Sequence, residues 1–594
     1  MSQEQNKDMS QYFYRASAAD FMKIPGSPVA YWLSKDALNA LDATIPLSTI
    51  SNPRKGMCTR DNDYFVRLWH EVSLDRIGFE CDSRESAKLS QKKWFPYQKG
   101  GDFRNWYGNH INVVNWENDG YELLNMESLG WSGNSTNHNL EYIFKPAIIW
   151  SKITSSIPSF RVSPQGYLYD DAAGLCAVKN EKDINNIIGF LVSKVGRFYM
   201  SVINPTLNIQ PGNMASMPFM QLESKSWSKG CADISQKDWD DFEISWDYST
   251  LPLIRNSDEH HLPKIYINLL TQWRKSILEM KCLEEENNHF FIEAYSLQNE
   301  LTPDVPLKEI TLTCNPHYRY GGNRSEEELE TLLQCDTLRE LVSYAIGCMM
   351  GRYSLDKPGL ILASQGETLQ DYLCQIPSPR FAPDDDAILP LTDQEWFADD
   401  ATNRFRDFVR VVWGDEHLQE NLDFVAESLC LHAIKPKRGE AALDTIRRYL
   451  STQFFKDHLR TYKKRPIYWL FSSGKHKAFE CLVYLHRYNE STLARMRTEY
   501  VIPLTAKMAT YVQKLEADKD ASTSAAEVKR LEKEIAQLHK QQAELSEFDE
   551  KLRHYADQRI SLDLDDGVKV NYGKFGDLLA EVKAVTGESP EVLS

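Results

Sequence analysis

Aromatic rings, cations and a pair of glycines are concentrated in residues 93–107, which read Lys-Trp-Phe-Pro-Tyr-Gln-Lys-Gly-Gly-Asp-Phe-Arg-Asn-Trp-Tyr. Gly100 and Gly101 allow the backbone to turn sharply or to approach a ligand closely. Aromatic rings can stack on bases, and cations can bind phosphates or guanine edges. The segment therefore predicts a nucleic-acid contact, although residue types alone also fit a structural aromatic hairpin with solvated charges. The candidate contact residues are Tyr97, Lys99, Arg104, Asn105, Trp106 and Tyr107.

Different roles are expected within this segment. Arg104 and Asn105 carry donor groups that can read a base edge in the major groove. Trp94 and Phe95 precede a proline and are expected to pack inward, whereas the two aromatic residues after Asn105 are expected either to brace the loop or to contact sugar faces.

A second set of cations lies between Lys456 and Lys477, where Asp457 is the one acidic residue. The whole chain has a formal net charge of −17, so any DNA-binding surface has to be a local patch. The turn at residues 472–475 also offers backbone amides to an anion. The alternative is a solvated helix end followed by an apolar strand. The candidate phosphate contacts are Lys463, Lys464, Arg465, Lys475 and Lys477.

Several runs of sequence occur in an order that is typical of one protein family. They are residues 21–33, 93–107, 204–213, 238–247, 301–305, 343–355 and 464–475. Together they closely resemble the large adenine-specific DNA methyltransferases of BREX phage-resistance systems, the PglX-like proteins. The resemblance extends from about Tyr12 to Phe575. Each run is moderately specific by itself, and their shared order makes the resemblance strong.

The resemblance implies that the complete protein uses S-adenosylmethionine to methylate adenine at N6. It also implies that the methylation marks host DNA as self, and that other BREX proteins act as partners against phage. In related target-recognition domains, a helix followed by a Gly-Asn-x-x-x-x-Pro-like segment packs the DNA reader onto its support. The counterpart in this chain begins at Gly212-Asn213 and ends at Met217-Pro218.

The chain departs from that family by lacking its catalytic motif. An amino methyltransferase of this class needs Asn or Asp, two prolines and an aromatic residue to hold the flipped base and its amine. Asn52-Pro53, Asn204-Pro205 and Asn315-Pro316 are followed by Arg, Thr and His instead. In the family, the methyltransferase domain precedes the matching runs. We therefore expect a target-recognition half that contains no catalytic or cofactor-binding residues, with the methyltransferase half and double-stranded DNA as partners.

Composition limits the remaining possibilities. The eleven cysteines are scattered, and the fourteen histidines include a single adjacent pair, His260-His261, with no further ligand at useful spacing. The sequence therefore predicts no metal site and no disulfide framework. No run approaches the length of a membrane span, and residues 1–11 do not resemble a secretory leader. We expect a cytoplasmic protein that contacts no membrane.

Patterning predicts an α+β protein of several domains. Residues 1–250 have short apolar runs between turn signals, which is typical of a mixed, strand-rich domain that would recognise the target. Within it, residues 184–199 have the apolar spacing of one helix. Residues 251–495 are expected to form a mainly helical support domain with the basic patch, and residues 496–557 an antiparallel coiled-coil hairpin. Residues 558–594 complete the chain as a C-terminal tail.

A second function stays open at this point. The acidic stretch that includes residues 384–386, together with the helical hairpin, is also compatible with a scaffold that joins a defence complex without reading DNA. DNA target recognition for a BREX-type adenine methyltransferase is the interpretation that the residues and the resemblance favour.

Overall fold

The computed structural model describes residues 17–24, 26–153, 157–206, 208–223, 225–255 and 258–590. The predicted α+β class is confirmed, because helices account for most of the regular structure and the strands form small, mainly antiparallel sheets. Two expectations concern residues outside the described ranges. They are the start of the resemblance near Tyr12 and the absence of a secretory leader in residues 1–11.

The chain forms two compact units, each assembled from three stretches of sequence. The first unit comprises residues 1–66, 77–239 and 272–321, and the second comprises residues 67–76, 240–271 and 322–594. The first unit contains most of the strands, and the second is mainly helical. The predicted division into four continuous domains stays a prediction.

Most described strands are short. They are Ile45–Pro46, Ser51–Arg54, Val66–Leu68, Trp94–Gln98, Asn112–Asn115, Ala147–Ser151, Phe160–Ser163, Leu168–Tyr169, Ala173–Val178, Pro218–Phe219, Ile388–Pro390, Tyr468–Ser472 and Glu480–Tyr484.

A four-stranded antiparallel sheet forms much of the core of the first unit. Its strand order is Ser51–Arg54, Ala173–Val178, Ala147–Ser151 and Phe160–Ser163. In this register Trp150 lies opposite Gly174. A Cβ at Gly174 would come within 2.1 Å of the Trp150 ring, so glycine is needed there to make room for the indole.

The first half of the predicted DNA-contacting segment is a strand of another sheet. Trp94–Gln98 pairs antiparallel with Asn112–Asn115 and parallel with Leu168–Tyr169. All five residues of Trp94–Gln98 are buried. The prediction that Trp94 and Phe95 pack inward is therefore confirmed.

The single helix predicted for residues 184–199 is wrong. The chain instead forms two helices, Ile184–Val192 and Lys194–Ile203, bent by 72°. Ser193 is extended at the break, and its hydroxyl accepts a hydrogen bond from the Gly196 amide at 3.1 Å. The serine thus ends one helix and caps the next. Among the described residues, no single helix is long and apolar enough to cross a membrane, although this bent pair has that length and composition when taken together.

The predicted helices of the later chain are present, with shifted ends. The other described helices are Ala18–Met22, Lys35–Ala40, Asn62–Phe65, Arg84–Leu89, Glu117–Leu124, Pro211–Ala215, Trp227–Asp240, Leu262–Ala294, Pro316–Tyr320, Glu326–Met349, Leu369–Gln375, Ala401–Trp413, Leu418–His432, Ala442–Tyr449, Phe455–Thr461, Thr492–Arg495, Ile502–Ala521, Ala525–Asp557, Gly567–Gly573 and Val582–Thr586.

The predicted antiparallel helical hairpin consists of Ile502–Ala521 and Ala525–Asp557, joined by residues 522–524. Its shared apolar seam includes Val512, Leu515, Leu531, Ile535 and Leu538. One polar residue, Gln541, is also buried on the second helix of the hairpin.

The three-stranded sheet of the second unit places Glu480–Tyr484 between Ile388–Pro390 and Tyr468–Ser472, all antiparallel. The turn between the last two strands in the chain carries Lys475 and Lys477. The sheet therefore fixes one part of the predicted basic patch.

Candidate nucleic-acid interface

Arg104, the predicted base reader of the first unit, is buried, with 2% of its surface exposed. Its Nη2 lies 2.8 Å from Asp238 Oδ2, and both side chains of this ion pair are at most 5% exposed. The guanidinium also donates to the Tyr107 carbonyl at 2.7 Å and to the Thr313 hydroxyl at 2.9 Å. Its carbon lies 5.2 Å from the centre of the Trp239 ring. Arg104 cannot reach a base edge without giving up these contacts.

Asp238 is also fully engaged in the first unit. Its two carboxylate oxygens accept hydrogen bonds from the Thr313 amide at 2.7 Å and the Cys314 amide at 2.9 Å. The ion pair therefore joins the segment around Arg104 to the end of helix Trp227–Asp240 and to the chain near residue 313. Such satisfaction of both partners is what allows a buried ion pair to persist.

The neighbours of Arg104 are equally enclosed. The Asn105 side-chain oxygen accepts a hydrogen bond from the Phe160 amide at 3.2 Å. The Trp106 indole donates to Glu284 at 2.7 Å, and Tyr107 is 6% exposed. Tyr97 is fully buried and donates to Asp170 at 2.8 Å. These contacts favour the structural alternative for all four residues.

Of the six candidates in this segment, Lys99 alone is partly exposed. It precedes a surface turn in which Gly100 has a φ of +78° and Gly101 a φ of +139°. A Cβ at Gly101 would lie 2.7 Å from Nδ2, the side-chain amide nitrogen of Asn109. The glycine pair thus serves a tight turn, and it presents Lys99 rather than Arg104 to solvent.

Arg161 was not identified from the sequence, although it lies under the same segment. It is fully buried, and its Nη1 donates to the Arg104 carbonyl at 3.1 Å. Its Nε and Nη2 find no hydrogen-bond partner among the described residues. Burial lowers the pKa of this guanidinium to about 10. A lone arginine inside a strand carries no sequence signal that distinguishes it from a surface arginine.

Lys463 and Lys464 occupy an exposed turn of the second unit, directly after helix Phe455–Thr461. Both have left-handed backbone conformations, with φ of +49° and +61°. The turn is closed by a hydrogen bond from the Lys464 amide to the Leu459 carbonyl at 2.7 Å. Left-handed conformations cost non-glycine residues roughly 1 kcal/mol each. Neither ammonium group has an ion-pair partner among the described residues.

The other cations of this patch are engaged to different degrees. Arg465 lies 3.6 Å from Glu71 and donates to the Val585 carbonyl at 3.2 Å. Lys477 lies 3.0 Å from Glu480. Lys475 is exposed on its turn, without an ion-pair partner in the described part of the chain. The cations of this set that remain available to an external anion are therefore Lys463, Lys464 and Lys475.

The turn predicted to offer amides to an anion already holds a carboxylate of the same unit. Glu544, on helix Ala525–Asp557, accepts hydrogen bonds from the His476 amide at 2.6 Å and the Ala478 amide at 3.1 Å. The Ser473 hydroxyl donates to it at 2.7 Å. Glu544 thus occupies amides that directly follow the predicted turn. Within the turn, the Ser473 amide donates to the Phe479 carbonyl at 2.9 Å and the Gly474 amide to the Ser472 hydroxyl at 3.3 Å. That the amides of residues 472–475 bind an anion stays a prediction.

An open groove of about 610 Å³ lies on the first unit. Arg54, Lys55 and His138 contribute positive or protonatable side chains to it, and Gly212 forms part of its wall. Gly212 begins the segment that the resemblance relates to DNA-reader support. The adjacent Arg-Lys pair at residues 54 and 55 was the available sequence signal, but it was not singled out.

The buried ion pair predicts a stability defect rather than a selective binding defect for Arg104→Met. Removing one partner of a buried pair typically costs about 3–5 kcal/mol, and we expect such a loss in the free energy of unfolding measured by urea denaturation. Lys99→Met, on the surface turn, is the matched control and should change stability little. A stable Arg104→Met protein with altered DNA preference would contradict this structural role.

Glu284 predicts a pH dependence of stability. Burial raises the pKa of this carboxyl from 4.5 to about 7. The folded state therefore binds the proton more tightly, and Glu284 lowers stability progressively as pH rises from about 4.5 to 7, by at most roughly 3 kcal/mol. In Glu284→Gln, which keeps an acceptor for Trp106, this loss should disappear.

The measurement is the free energy of unfolding of parent and Glu284→Gln at pH 5 and pH 8. The variant should gain on the parent at the higher pH. An equal difference at both values would show that Glu284 titrates normally.

Two curated proteins are similar to nearly the whole chain. The chain is 45% identical over 580 residues to the adenine-specific methyltransferase BrxX of Escherichia coli O9:H4 (strain HS), which covers 97% of this chain and 46% of that protein. It is 36% identical over 582 residues to the adenine-specific methyltransferase PglX of Lacticaseibacillus casei (strain Zhang), covering 96% of this chain and 46% of the relative. No protein-family model matches the chain. The chain thus spans about half the length of these two adenine-specific methyltransferases, to which it is similar over nearly all of its own length.

Proposed function

We propose that this chain recognises DNA for a BREX-type N6-adenine methyltransferase, and that methyl transfer is carried out by sequence outside these 594 residues. The similarity to BrxX and PglX over 96% or more of the chain supports the proposal. The missing Asn/Asp-Pro-Pro-aromatic motif supports the second part, because that motif holds the target amine in this class of enzyme.

The observation that carries the DNA-binding role is the exposed, unpaired set of Lys463, Lys464 and Lys475. In a chain with a net charge of −17, lysines without an acidic partner mark a place where phosphate is not repelled. The strained backbone at Lys463 and Lys464 favours a function for this turn, since strained backbone conformations cluster at functional sites. These side chains contact the phosphate backbone and carry no sequence information.

Base reading then needs another surface, and the groove of the first unit fits this role. Arg54 and Lys55 can donate to guanine edges, and the open shape admits a base edge or a flipped nucleotide. Lys99 adds a partly exposed cation on the same unit. The earlier assignment of base reading to Arg104 and Asn105 is replaced by this groove.

S-adenosylmethionine belongs to the methyltransferase half in this proposal, and the partners are that half, other BREX proteins and double-stranded DNA. All eleven cysteines of the chain lie among the described residues, and each has a free thiol. Free cysteines are typical of the reducing cytoplasm, which is where host DNA would be marked.

The acidic stretch, one of the two features that favoured a scaffold, supports that alternative less than the sequence indicated. Asp384 is 8% exposed, and burial raises the pKa of its carboxyl to about 8, with the neighbouring Asp386 adding to the rise. The Asp386 side chain is 4% exposed and lies 3.5 Å from Arg495. These two acids are therefore part of the interior, whereas Asp385 between them is exposed. The stretch offers a docking partner fewer solvated acids than the sequence indicated, and DNA recognition is the better-supported function.

The lysine patch predicts a changed salt dependence. Replacing Lys463, Lys464 and Lys475 together with Gln should weaken binding to all duplexes alike. It should also reduce the slope of log K against log salt by up to about three, because each neutralised phosphate contributes about 0.9. Fluorescence anisotropy with short duplexes, at several salt concentrations, measures both quantities.

The matched control replaces Lys529, Lys533 and Lys540, which are exposed on helix Ala525–Asp557, with Gln. It makes the same change in net charge but should leave the slope unchanged. An equal effect of both triple variants would show general electrostatics, and no effect of either would remove the lysine patch from the DNA interface.

Because the proposal places methyl transfer outside these 594 residues, we expect that the purified chain transfers no methyl group. Incubation with duplex DNA and methyl-labelled S-adenosylmethionine should leave the DNA unlabelled, because no residues here hold the target amine. An established adenine methyltransferase provides the positive control. Label above the level of a protein-free reaction would refute catalysis by a separate half while leaving the lysine experiment unaffected.

A further inference from the structure

Three potential metal ligands from distant parts of the sequence meet in the second unit. A ligand atom from each of His261, His417 and Glu420 lies within 4.8 Å of the other two. Glu420 Oε2 lies 3.2 Å from His261 Nε2 and 2.8 Å from His417 Nδ1. Their side chains are 22%, 30% and 60% exposed, in the order His261, His417 and Glu420. The cluster is thus partly enclosed and still open to an ion from solvent.

Two helix starts position these side chains. His417 immediately precedes helix Leu418–His432, and Glu420 lies three residues later in its first turn. Residues three apart lie on the same face of a helix. His261 immediately precedes helix Leu262–Ala294. The three ligands therefore come from well-formed elements rather than from a long loop.

Asn421 clamps the two helix starts together. Its side-chain nitrogen donates to the His260 carbonyl at 2.9 Å, and its side-chain oxygen accepts a hydrogen bond from the Leu262 amide at 2.8 Å. These bonds bracket His261 on both sides, and Asn421 is itself fully buried. The clamp fixes the separation of the ligands before any ion binds, which reduces the cost of organising them.

One polar atom of the cluster lacks a partner. The Nδ1 of His261 is buried and has no hydrogen-bond partner among the described residues. An unsatisfied buried polar atom is uncommon and often indicates a missing water or ion. The nitrogen that lies 3.2 Å from Glu420 is Nε2, so Nε2 is the ligand atom that His261 offers, and the unsatisfied Nδ1 is not part of the ligand set.

We propose that His261, His417 and Glu420 bind one divalent transition-metal ion of the zinc class. Two imidazole nitrogens and one carboxylate oxygen form a donor set suited to Zn²⁺ or Co²⁺, whereas Mg²⁺ and Ca²⁺ prefer oxygen ligands alone. A tetrahedral ion with bonds of about 2.1 Å holds its ligand atoms about 3.4 Å apart. The separations of Glu420 from the two histidines are close to this value, and water completes the coordination.

The ion would pin the starts of two helices to each other. Binding to the folded state alone stabilises it as the ion concentration exceeds the dissociation constant. The partial positive charge of both helix starts opposes a cation, so the site binds less tightly than a structural site with four protein ligands. The sequence predicts no metal because His260-His261 has no nearby ligand, and the other two ligands, His417 and Glu420, join His261 only in the fold.

The test is a Co²⁺ titration of the chelator-treated full chain, followed by visible absorption and by thermal unfolding. One equivalent of Co²⁺ should produce ligand-field bands that Zn²⁺ abolishes and Mg²⁺ does not, and Zn²⁺ should raise the unfolding temperature. Glu420→Gln and His417→Gln should each weaken Co²⁺ binding at least about tenfold. His260→Gln is the matched control and should bind as the parent does.

Glu420→Gln keeps the proposal testable even if a histidine variant misfolds, because this side chain is well exposed. Circular dichroism without metal checks that each variant is folded. The proposal is overturned if the parent shows no ligand-field bands at millimolar Co²⁺, or if Glu420→Gln and His417→Gln bind as tightly as His260→Gln.

Discussion

The burial of arginine is the physical constraint that organises both units. A guanidinium group cannot lose its charge at ordinary pH, so each buried one has to be surrounded by acceptors, aromatic faces or a carboxylate. In the first unit, Arg104 meets this demand with Asp238, backbone carbonyls and Trp239. The pair joins residues 93–107 to residues 238–247, two of the runs that carry the family resemblance. They form one interaction, and a change in either would leave a buried charge unpaired.

Arg352 imposes the same constraint on the second unit, where no carboxylate of the described residues pairs with it directly. Its guanidinium donates to the Tyr353 hydroxyl at 3.2 Å and the Tyr484 hydroxyl at 3.0 Å, and its carbon lies 5.3 Å from the centre of the Trp69 ring. Burial, with the positive charge of Arg352 adding to it, lowers the pKa of both His458 and His486 to about 3. A charged imidazole beside this cation would be strongly unfavourable, so the histidines serve as neutral hydrogen-bonding groups.

Local patterns in the sequence were sufficient to predict the main secondary-structure elements. Apolar spacing predicted helix Leu262–Ala294 and the hairpin, because one face of each has to be buried. The broken helix was harder, although Ser193 followed three residues later by Gly196 is compatible with a new helix start. Apolar spacing alone does not show a break when both halves are buried.

The site residues were harder to predict because the same side chains serve interior and surface. Arg104 and Asn105 present the same donors to a base edge as to a carbonyl, and only the position of Asp238 distinguishes the two uses. The same applies to Glu544, whose carboxylate accepts from the His476 and Ala478 amides beside the turn at residues 472–475, and to His417 and Glu420, which join His261 only after folding. Each of these pairings is long-range in sequence, and composition or periodicity carries no information about it.

Pairing therefore separates structural charges from charges available to an external ligand in this chain more clearly than residue type does. Most of its arginines and many of its acids are consumed in ion pairs or in bonds to carbonyls, as shown by Arg465 with Glu71 and by Lys477 with Glu480. Such pairs contribute little to an external field, because opposite charges a few ångströms apart cancel over distance. The exposed lysines at 463, 464 and 475 keep their charge uncancelled. Lys463 and Lys464 lie on the turn after helix Phe455–Thr461, and Lys475 lies on the turn after strand Tyr468–Ser472. An acidic chain needs local positive charge of this kind to approach phosphate.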